Sequence, residues 1–485
     1  MQKPFYITTT LPYVNSDPHV GFAMEIIRAD AIARAKILDG YDVFFNTGTD
    51  EHGQKLLRDA EKSGKDVLVY VSEYAEKFRN LIPLLGITET VHFIRTTEPH
   101  HESAAQELWR RVRDNGFIYK KAYQTKYCVG CELEKTDSEL VDGRCSIHPN
   151  KDIELIDEEN YFFAFSKCAP LLEKLYQENP RLVIPSFRFN EAKAFLSRGL
   201  EDFSISRLKS KMPWGVAVPD DADHVMYVWF DALTNYISTL GWPENMAQFE
   251  TFWKNGTPVQ YCGKDNLRQQ SMMWQAMLLA AGLPTTTHVI VNGFINSGGQ
   301  KMSKSLGNVI SPFDVIAIFA GVAGDRASDV LRYYLLRHAN SFEDSDMTME
   351  SINEAYQAHL ANGIGNLTSR IMTLSETHCE EFDELPVVEH KSALREAIDA
   401  FDLQKAMDVI WDDIRNLDAK IQLTKPFSVV KEDVEAGKAI IRDLVADLYG
   451  IAVALAPFMP KTSDAIIAHI RDNKKPSTPL FARLG

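Results

Sequence analysis

The sequence has no long hydrophobic run. No stretch approaches the roughly 18 consecutive apolar residues that a membrane helix needs, so a spanning segment is not expected. The start, Met1-Gln2-Lys3-Pro4-Phe5-Tyr6, enters an apolar strand within a few residues and does not read as a signal peptide. Positive charge is not in surplus either. Fifty-two Lys and Arg against 67 Asp and Glu give a net charge of −15. That excludes a polycationic nucleic-acid coat, which would neutralise phosphates over much of its surface. It leaves room for local basic faces: residues 181–215 hold seven Lys/Arg and three Asp/Glu, and 461–485 hold five and two. Cysteine is scarce, six in 485 residues, and three of the six (Cys128, Cys131, Cys145) crowd into one short stretch. Without an export signal, that clustering points to metal ligation rather than disulfides. Repeats and low-complexity segments are missing as well. With 45% hydrophobic and 25% charged residues the chain is an ordinary globular sequence, long enough for about three domains.

The first fifty residues read as a βαβ unit. Phe5 to Thr9 is a short apolar strand, residues 19–38 follow helical spacing (Ile27, Ala31, Ala35, Leu38), and Val43-Phe44-Phe45 is the next buried strand. Such a unit places a ligand at the carboxyl ends of its strands, near Thr9–Pro12 and Thr47–Asp50. Two further strands are expected late, Val259–Cys262 and His288–Asn292, with a helix over Ser271–Ala281 between them. The region 119–217, with the cysteine cluster and much irregular polar sequence, reads as an insertion between two halves of a sheet. Residues 351–485 are helical in period. Met407, Ile410, Trp411, Ile414, Leu417 and Ile421 form one apolar stripe, and Ile441, Leu444, Leu448, Ile451 and Leu455 another, the expected core of a bundle. The expected boundaries are 1–118, 119–217 with a knuckle at 125–150, 218–350, and 351–485.

Three local patterns carry chemistry. Cys128-x-x-Cys131 and Cys145-x-x-His148 form a Cys₃His set suited to one tetrahedral, closed, structural Zn²⁺, with Gly130 and Gly143 at tight turns. Cys168, Cys262 and Cys379 are scattered and read as buried thiols. Lys301-Met302-Ser303-Lys304-Ser305 follows a glycine turn, and two ammonium groups on such a loop suit the charge that grows as pyrophosphate leaves. His19 sits where a helix N-terminus already favours anions, and Gly21 lets a flat base approach the backbone.

His19-Val20-Gly21 after the first strand, with Lys301–Ser305 after the last, resembles the two signatures of class I aminoacyl-tRNA synthetases. Seven segments narrow the resemblance to methionyl-tRNA synthetases of a bacterial-type branch with one knuckle: Thr47–Gly53, Arg95–Glu98, Tyr127–Glu132, Glu159–Phe163, Ser204–Arg207, Val228–Leu233 and Gly263–Asp265. They cover nearly the whole chain in the family's order. The resemblance implies an α/β fold: a Rossmann-like parallel-sheet catalytic domain split by a zinc-knuckle insertion, then an α-helical anticodon-binding bundle. It implies methionine–tRNA ligase activity in the cytoplasm, on L-methionine, ATP with Mg²⁺, and tRNA(Met). It places Leu11, Tyr13, Trp229, Leu233 and Tyr236 around the methionine side chain and Asp50 against the ammonium. ATP falls to His19, Gly21, Gly263, Asp265, Asn292, Lys301 and Lys304, with His19, Lys301, Lys304 and Arg207 acting on the phosphates. Asn362, Asn366 and Arg370, on one helix face, and Phe427 would meet the CAU anticodon. A monomer is expected, because the dimerisation domain some members append is not seen before Gly485.

The departures from the family pattern bear on the phosphates and the pocket wall. Phe22 stands where a second His is usual, Asn266, Gln269 and Gln270 replace familiar residues, Asn292 replaces a frequent His, and Phe427 a frequent Trp. Two rivals stay open at this point. A sister such as a cysteinyl-tRNA synthetase would use its zinc on the substrate thiol, and four protein ligands oppose that. A non-catalytic RNA-binding paralogue gains from the lost His and is opposed by the two lysines.

Overall fold

The computed structural model describes residues 2–135, 139–302, 307–380, 388 and 391–484. Lys304, with its neighbours 303–306, lies outside the described residues. The chain divides into two compact units: residues 1–17, 40–80 and 90–291, and residues 18–39, 81–89 and 292–485.

The first unit is built on a six-stranded parallel sheet. Its strands are β1 (Pro4–Thr9), β2 (Asp42–Thr49), β3 (Val91–Arg95), β6 (Val183–Ile184), β7 (Thr257–Gly263) and β8 (His288–Asn292); β4 (Ile118–Cys128) and β5 (Ile153–Phe163) belong to the insertion. The order across the sheet is β3-β2-β1-β7-β8-β6, and the register sets Phe5 opposite both Val43 and Thr257. The central strands are buried on both faces, which is why they read as apolar runs rather than alternating ones. After β1 the chain builds outward through β2 and β3. It then sets β6 at the far edge and returns to the other side of β1 with β7. The topological switch therefore lies between β1 and β7, and the crevice outside their carboxyl ends is where such sheets bind ligands.

The insertion is a ribbon. Strands β4 (Ile118–Cys128) and β5 (Ile153–Phe163) pair antiparallel over their full length, from Ile118 opposite Phe163 to Cys128 opposite Ile153. The cysteine cluster closes the ribbon's far end. The insertion is not separate from the main sheet: β6 pairs with β8 as its edge strand. A two-residue strand has no period to reveal it in sequence. The helix expected over 271–281 runs as a π-helical turn, Gln269–Met273, into Trp274–Ala280.

The second unit contains helix α1 (Val20–Leu38) and the C-terminal helices, among them α2 (Asn366–His378), α3 (Leu403–Thr424), α4 (Pro426–Glu432) and α5 (Val434–Leu455). Helix α1 is buried nearly all round, charged residues included. Arg28 donates to the carbonyls of Leu335, Ala339, Asn340 and Ser341. Asp30 pairs with Arg332 at 2.7 Å, both fully buried. Removing one partner of such a pair strands a buried charge, at a cost of about 3–5 kcal/mol. These polar anchors group α1 with the C-terminal unit, although it links two sheet strands in sequence. All six residues of the first apolar stripe and all five of the second are buried, on α3 and α5.

Candidate active site and metal centre

At the carboxyl end of β1 the chain turns through Leu11 and Tyr13, both half-buried. Tyr13 forms a bridge with Asp50, just beyond β2: Asp50 N–H donates to Pro12 O, and Val14 N–H to Asp50 O. This fixes Asp50 beside the end of β1, its carboxylate buried and Oδ1 lacking any hydrogen-bond partner among the described residues. Burial, with Asp231 and Glu132 nearby, raises its pKa well above the usual carboxylate range. A carboxylate so placed is stabilised by an incoming cation, and an α-ammonium is one. Tyr13 and Trp229 pack together on a small apolar cluster of Tyr127, Val129, Tyr227 and Val228. The Trp229 indole N–H is buried and also without a partner among the described residues. Trp229 borders the main core as well, which holds Leu233 and Tyr236.

Among the replaced residues, Gln270 has a defined place in the pocket wall. Gln270 donates to the Tyr236 hydroxyl at 2.5 Å and accepts from Gln260 at 2.9 Å. Gln275 and Thr286 complete that buried amide network. Gln269 is buried beside it. Tyr236 thus meets a partner, Gln270, that sequence spacing does not reveal. Sequence reasoning also missed the scaffold behind Asp50. Glu51 is buried and accepts from Thr49, Thr97 and both arms of Arg95. Asp231 bridges His52 at 2.7 Å and His101 at 2.8 Å. Burial pushes its pKa up, but the His52 charge and then hydrogen bonds from both rings outweigh that and hold it down at about 2. The family segments contained these residues, but their partners lie up to 179 residues away.

Gly263 ends β7, and a Cβ there would come within 2.7 Å of the Asp265 carboxylate, so the glycine makes room for that side chain. Arg207 lies between the rings of Tyr127 and Tyr227, 4.9 and 5.0 Å from their centroids, and donates to Ser204 Oγ and Ser206 O. Its described partners are protein groups near the knuckle.

In the second unit His19 caps α1. Its Nδ1 accepts the Gly21 N–H at 3.0 Å, which leaves the proton on Nε2. A Cβ at position 21 would sit 2.7 Å from the His19 ring, so glycine is required there. This is a different reason from the approach of a base. Phe22 lies against the same ring, tilted by 32°, with centroids 4.4 Å apart. Burial, and then Lys301, lower the His19 pKa to about 4. His19 is thus a neutral donor near pH 7 rather than a cation. Lys301 ends a hairpin whose turn, Gly298-Gly299, has positive φ at both residues. Its ammonium lies over the Phe294 ring. Asn292 is buried at the end of β8 and donates to Gly293 O.

The expected helix face of Asn362, Asn366 and Arg370 is not one regular α-helix. Residues Tyr356–Gly365 are π-helical, with non-helical geometry at Gly363, and α2 begins only at Asn366. Asn362 therefore precedes the break and the other two follow it. Both asparagines are exposed, and Arg370 pairs with Asp418. Phe427 stands in the first turn of α4, after a left-handed Lys425.

The knuckle gathers Cys128, Cys131, Cys145 and His148, with all four ligand atoms within 4.8 Å of one another. Cys131 Sγ lies 3.3 Å from Cys145 Sγ and 3.2 Å from His148 Nδ1. Three thiols and an imidazole at this spacing fit a tetrahedral ion with bonds of about 2.0–2.3 Å. A Cβ at Gly130 would come within 2.5 Å of the His148 ring, so the turn leaves just enough room for it. Cys168 and Cys262 are buried as expected, whereas Cys379 is only half-buried.

The sequence profile of the tRNA synthetases class I (M) matches residues 5–151 and 130–372. The chain belongs to the methionyl-tRNA synthetase family. It is 39% identical to the methionine–tRNA ligase of Thermotoga maritima, over 98% of this chain and 76% of that protein. It is 35% identical to that of Rhizobium meliloti, over 96% of this chain and 91% of that protein. In structure it is similar to Mycobacterium tuberculosis methionyl-tRNA synthetase in complex with methionyl-adenylate. The TM-score is 0.89 at 32% identity, covering 99% of this chain and 100% of that one. Among the described residues, no helix is long and apolar enough to cross a membrane.

Proposed function

We propose that the chain is a methionine–tRNA ligase. The methionine carboxylate attacks the α-phosphorus of ATP, the bond to the β-phosphate oxygen breaks, and pyrophosphate leaves. The terminal ribose hydroxyl of tRNA(Met) then attacks the carbonyl of methionyl-adenylate, and AMP departs. The observation that carries this reading is the Asp50 carboxylate. It is buried at the carboxyl end of β2 beside Tyr13, with one oxygen lacking a partner among the described residues. An α-ammonium supplies that partner and leaves the substrate carboxylate directed away from Asp50. Leu11, Tyr13, Trp229, Leu233 and Tyr236 wall the side chain, and aromatic rings favour a thioether.

His19 donates from Nε2 to phosphate, and Lys301 and Lys304 neutralise charge on the leaving pyrophosphate. Gly263 and Asp265 take the ribose, and Gly21, Asn292 and Arg207 complete the nucleotide's surroundings. Mg²⁺ arrives with ATP and offsets its phosphate charge. Zn²⁺ on Cys128, Cys131, Cys145 and His148 is structural. Residues 1–118 and 218–350 carry the chemistry, 119–217 the insertion, and 351–485 read the anticodon through Asn362, Asn366, Arg370 and Phe427. The reading implies a cytoplasmic enzyme, and one chain supplies every residue named, so a monomer suffices.

The test is ATP–pyrophosphate exchange with a panel of amino acids. Exchange with methionine alone is expected, and Lys304→Ala should cut it by orders of magnitude while the fold is kept. Exchange driven by cysteine, or by none of the twenty, overturns the reading.

A further inference from the structure

Three segments far apart in sequence meet at one point beside the amino-acid pocket. Glu132 follows the metal-ligating Cys131 directly and is held in a left-handed turn, φ +50°. Its carboxylate is buried, and Oε1 accepts two hydrogen bonds: from the Tyr13 hydroxyl at 2.7 Å and from the Lys55 backbone N–H at 2.8 Å. Between them lies Gly53, at φ +117°. A Cβ there would sit 2.4 Å from the Tyr13 hydroxyl and 2.7 and 2.9 Å from the two Glu132 oxygens. Only glycine lets the three groups close. The same loop touches the pocket a second time, because Tyr127 and Val129 form the apolar cluster on which Tyr13 and Trp229 pack. Tyr13 in turn bridges Asp50.

We propose that Glu132 is a positioning residue. Set by the metal-binding loop, its carboxylate fixes the Tyr13 hydroxyl and so couples the shape of the methionine pocket to the metal state of the knuckle. This rests on the reading of that pocket as a methionine site. A neighbouring loop that only filled space would need neither the hydrogen bond nor the glycine. A phenol donating to a carboxylate is a strong, directional tie, and it acts on the ring that borders the ligand. The coupling runs both ways, since a bound amino acid that pins Tyr13 also favours the closed loop.

The test is calorimetric binding of methionine to the full chain, with knuckle metal content measured by release to a chromogenic chelator. Tyr13→Phe leaves the knuckle sequence intact, and Glu132→Gln keeps the side chain's shape. Each should weaken methionine binding about tenfold with metal content unchanged, and the double variant should be no weaker than the worse single one, because both remove the same contact. In pyrophosphate exchange the KM for methionine should rise while kcat and the KM for ATP hold. Chelation should weaken methionine binding in the unmodified chain and have much less effect in Tyr13→Phe. Wild-type affinity in both variants, losses that multiply, or equal chelation effects in both backgrounds would overturn the inference. If the unmodified, metal-loaded chain binds no methionine, the functional reading itself fails, and this inference with it.

Discussion

His19 illustrates how a single residue's chemistry follows from its neighbours. As an N-cap it must accept, so Nδ1 is committed to Gly21 and only Nε2–H is left to donate. Phe22, which replaces the usual second His, lies against the ring. At position 22 the structure has instead a ring that shields His19 from water. Burial first, then Lys301, take the His19 pKa from 6.5 to about 4. The sign of the stability effect follows. Above about 6.5 neither folded nor unfolded chain is protonated at this site, and below about 4 both are. Between these values only the unfolded chain takes the proton, so this site loses stability as pH falls through the window. Phe22→Ala, which admits water to the ring, should raise the His19 pKa toward its ordinary value and flatten that loss. NMR titration of the His19 ring reads the first effect, and urea denaturation at pH 4.5 and 7 the second. A His19 titration midpoint near 6.5 in the unmodified chain would contradict this account.

Elements were legible where a period or an apolar run existed. The strand His288–Asn292 is found with its expected bounds, and α1 begins one residue after the expected start. The apolar stripes of α3 and α5 are core, because residues spaced three and four apart share a helix face. The metal set was legible because its ligand spacing is local. What stayed hidden was set by contacts across the sequence. The edge strand β6 is too short to have a pattern, and the break at Gly363 interrupts a segment whose apolar spacing continues through it. The tie between Tyr13 and Glu132 spans 119 residues. Burial and exposure on one helix give a direct check. Ile414 is buried in the α3 stripe, while Leu423, on the same helix, is 81% exposed. Ile414→Ala should cost about 2–5 kcal/mol through lost burial and the cavity left behind, and Leu423→Ala should stay within about 0.5 kcal/mol. Chemical denaturation of the two variants measures both. Equal losses would mean that α3 does not present the stripe to the core.

At the scale of the whole molecule, net charge says little about where RNA is read. A chain at −15 repels a polyanion at long range, so recognition must come from local groups at short range. Amide, guanidinium and aromatic groups suit unstacked bases, and Asn362, Asn366, Arg370 and Phe427 are such groups. Phe427 is 46% exposed, unusual for so large an apolar side chain, and the left-handed turn at Lys425 starts a new helix that presents it. No core demands that exposure. A base stacked on an aromatic ring is worth about 1–3 kcal/mol, so Phe427→Ala should lower kcat/KM for tRNA(Met) charging by roughly ten- to a hundredfold. Phe427→Trp should restore or exceed the original value, because the larger ring stacks over more area. Methionine-dependent pyrophosphate exchange needs no tRNA and should stay within about twofold of the unmodified enzyme in both variants. That contrast separates recognition from chemistry. If exchange fell together with charging, Phe427 would be supporting the fold. If neither moved, the anticodon would be read elsewhere on the molecule.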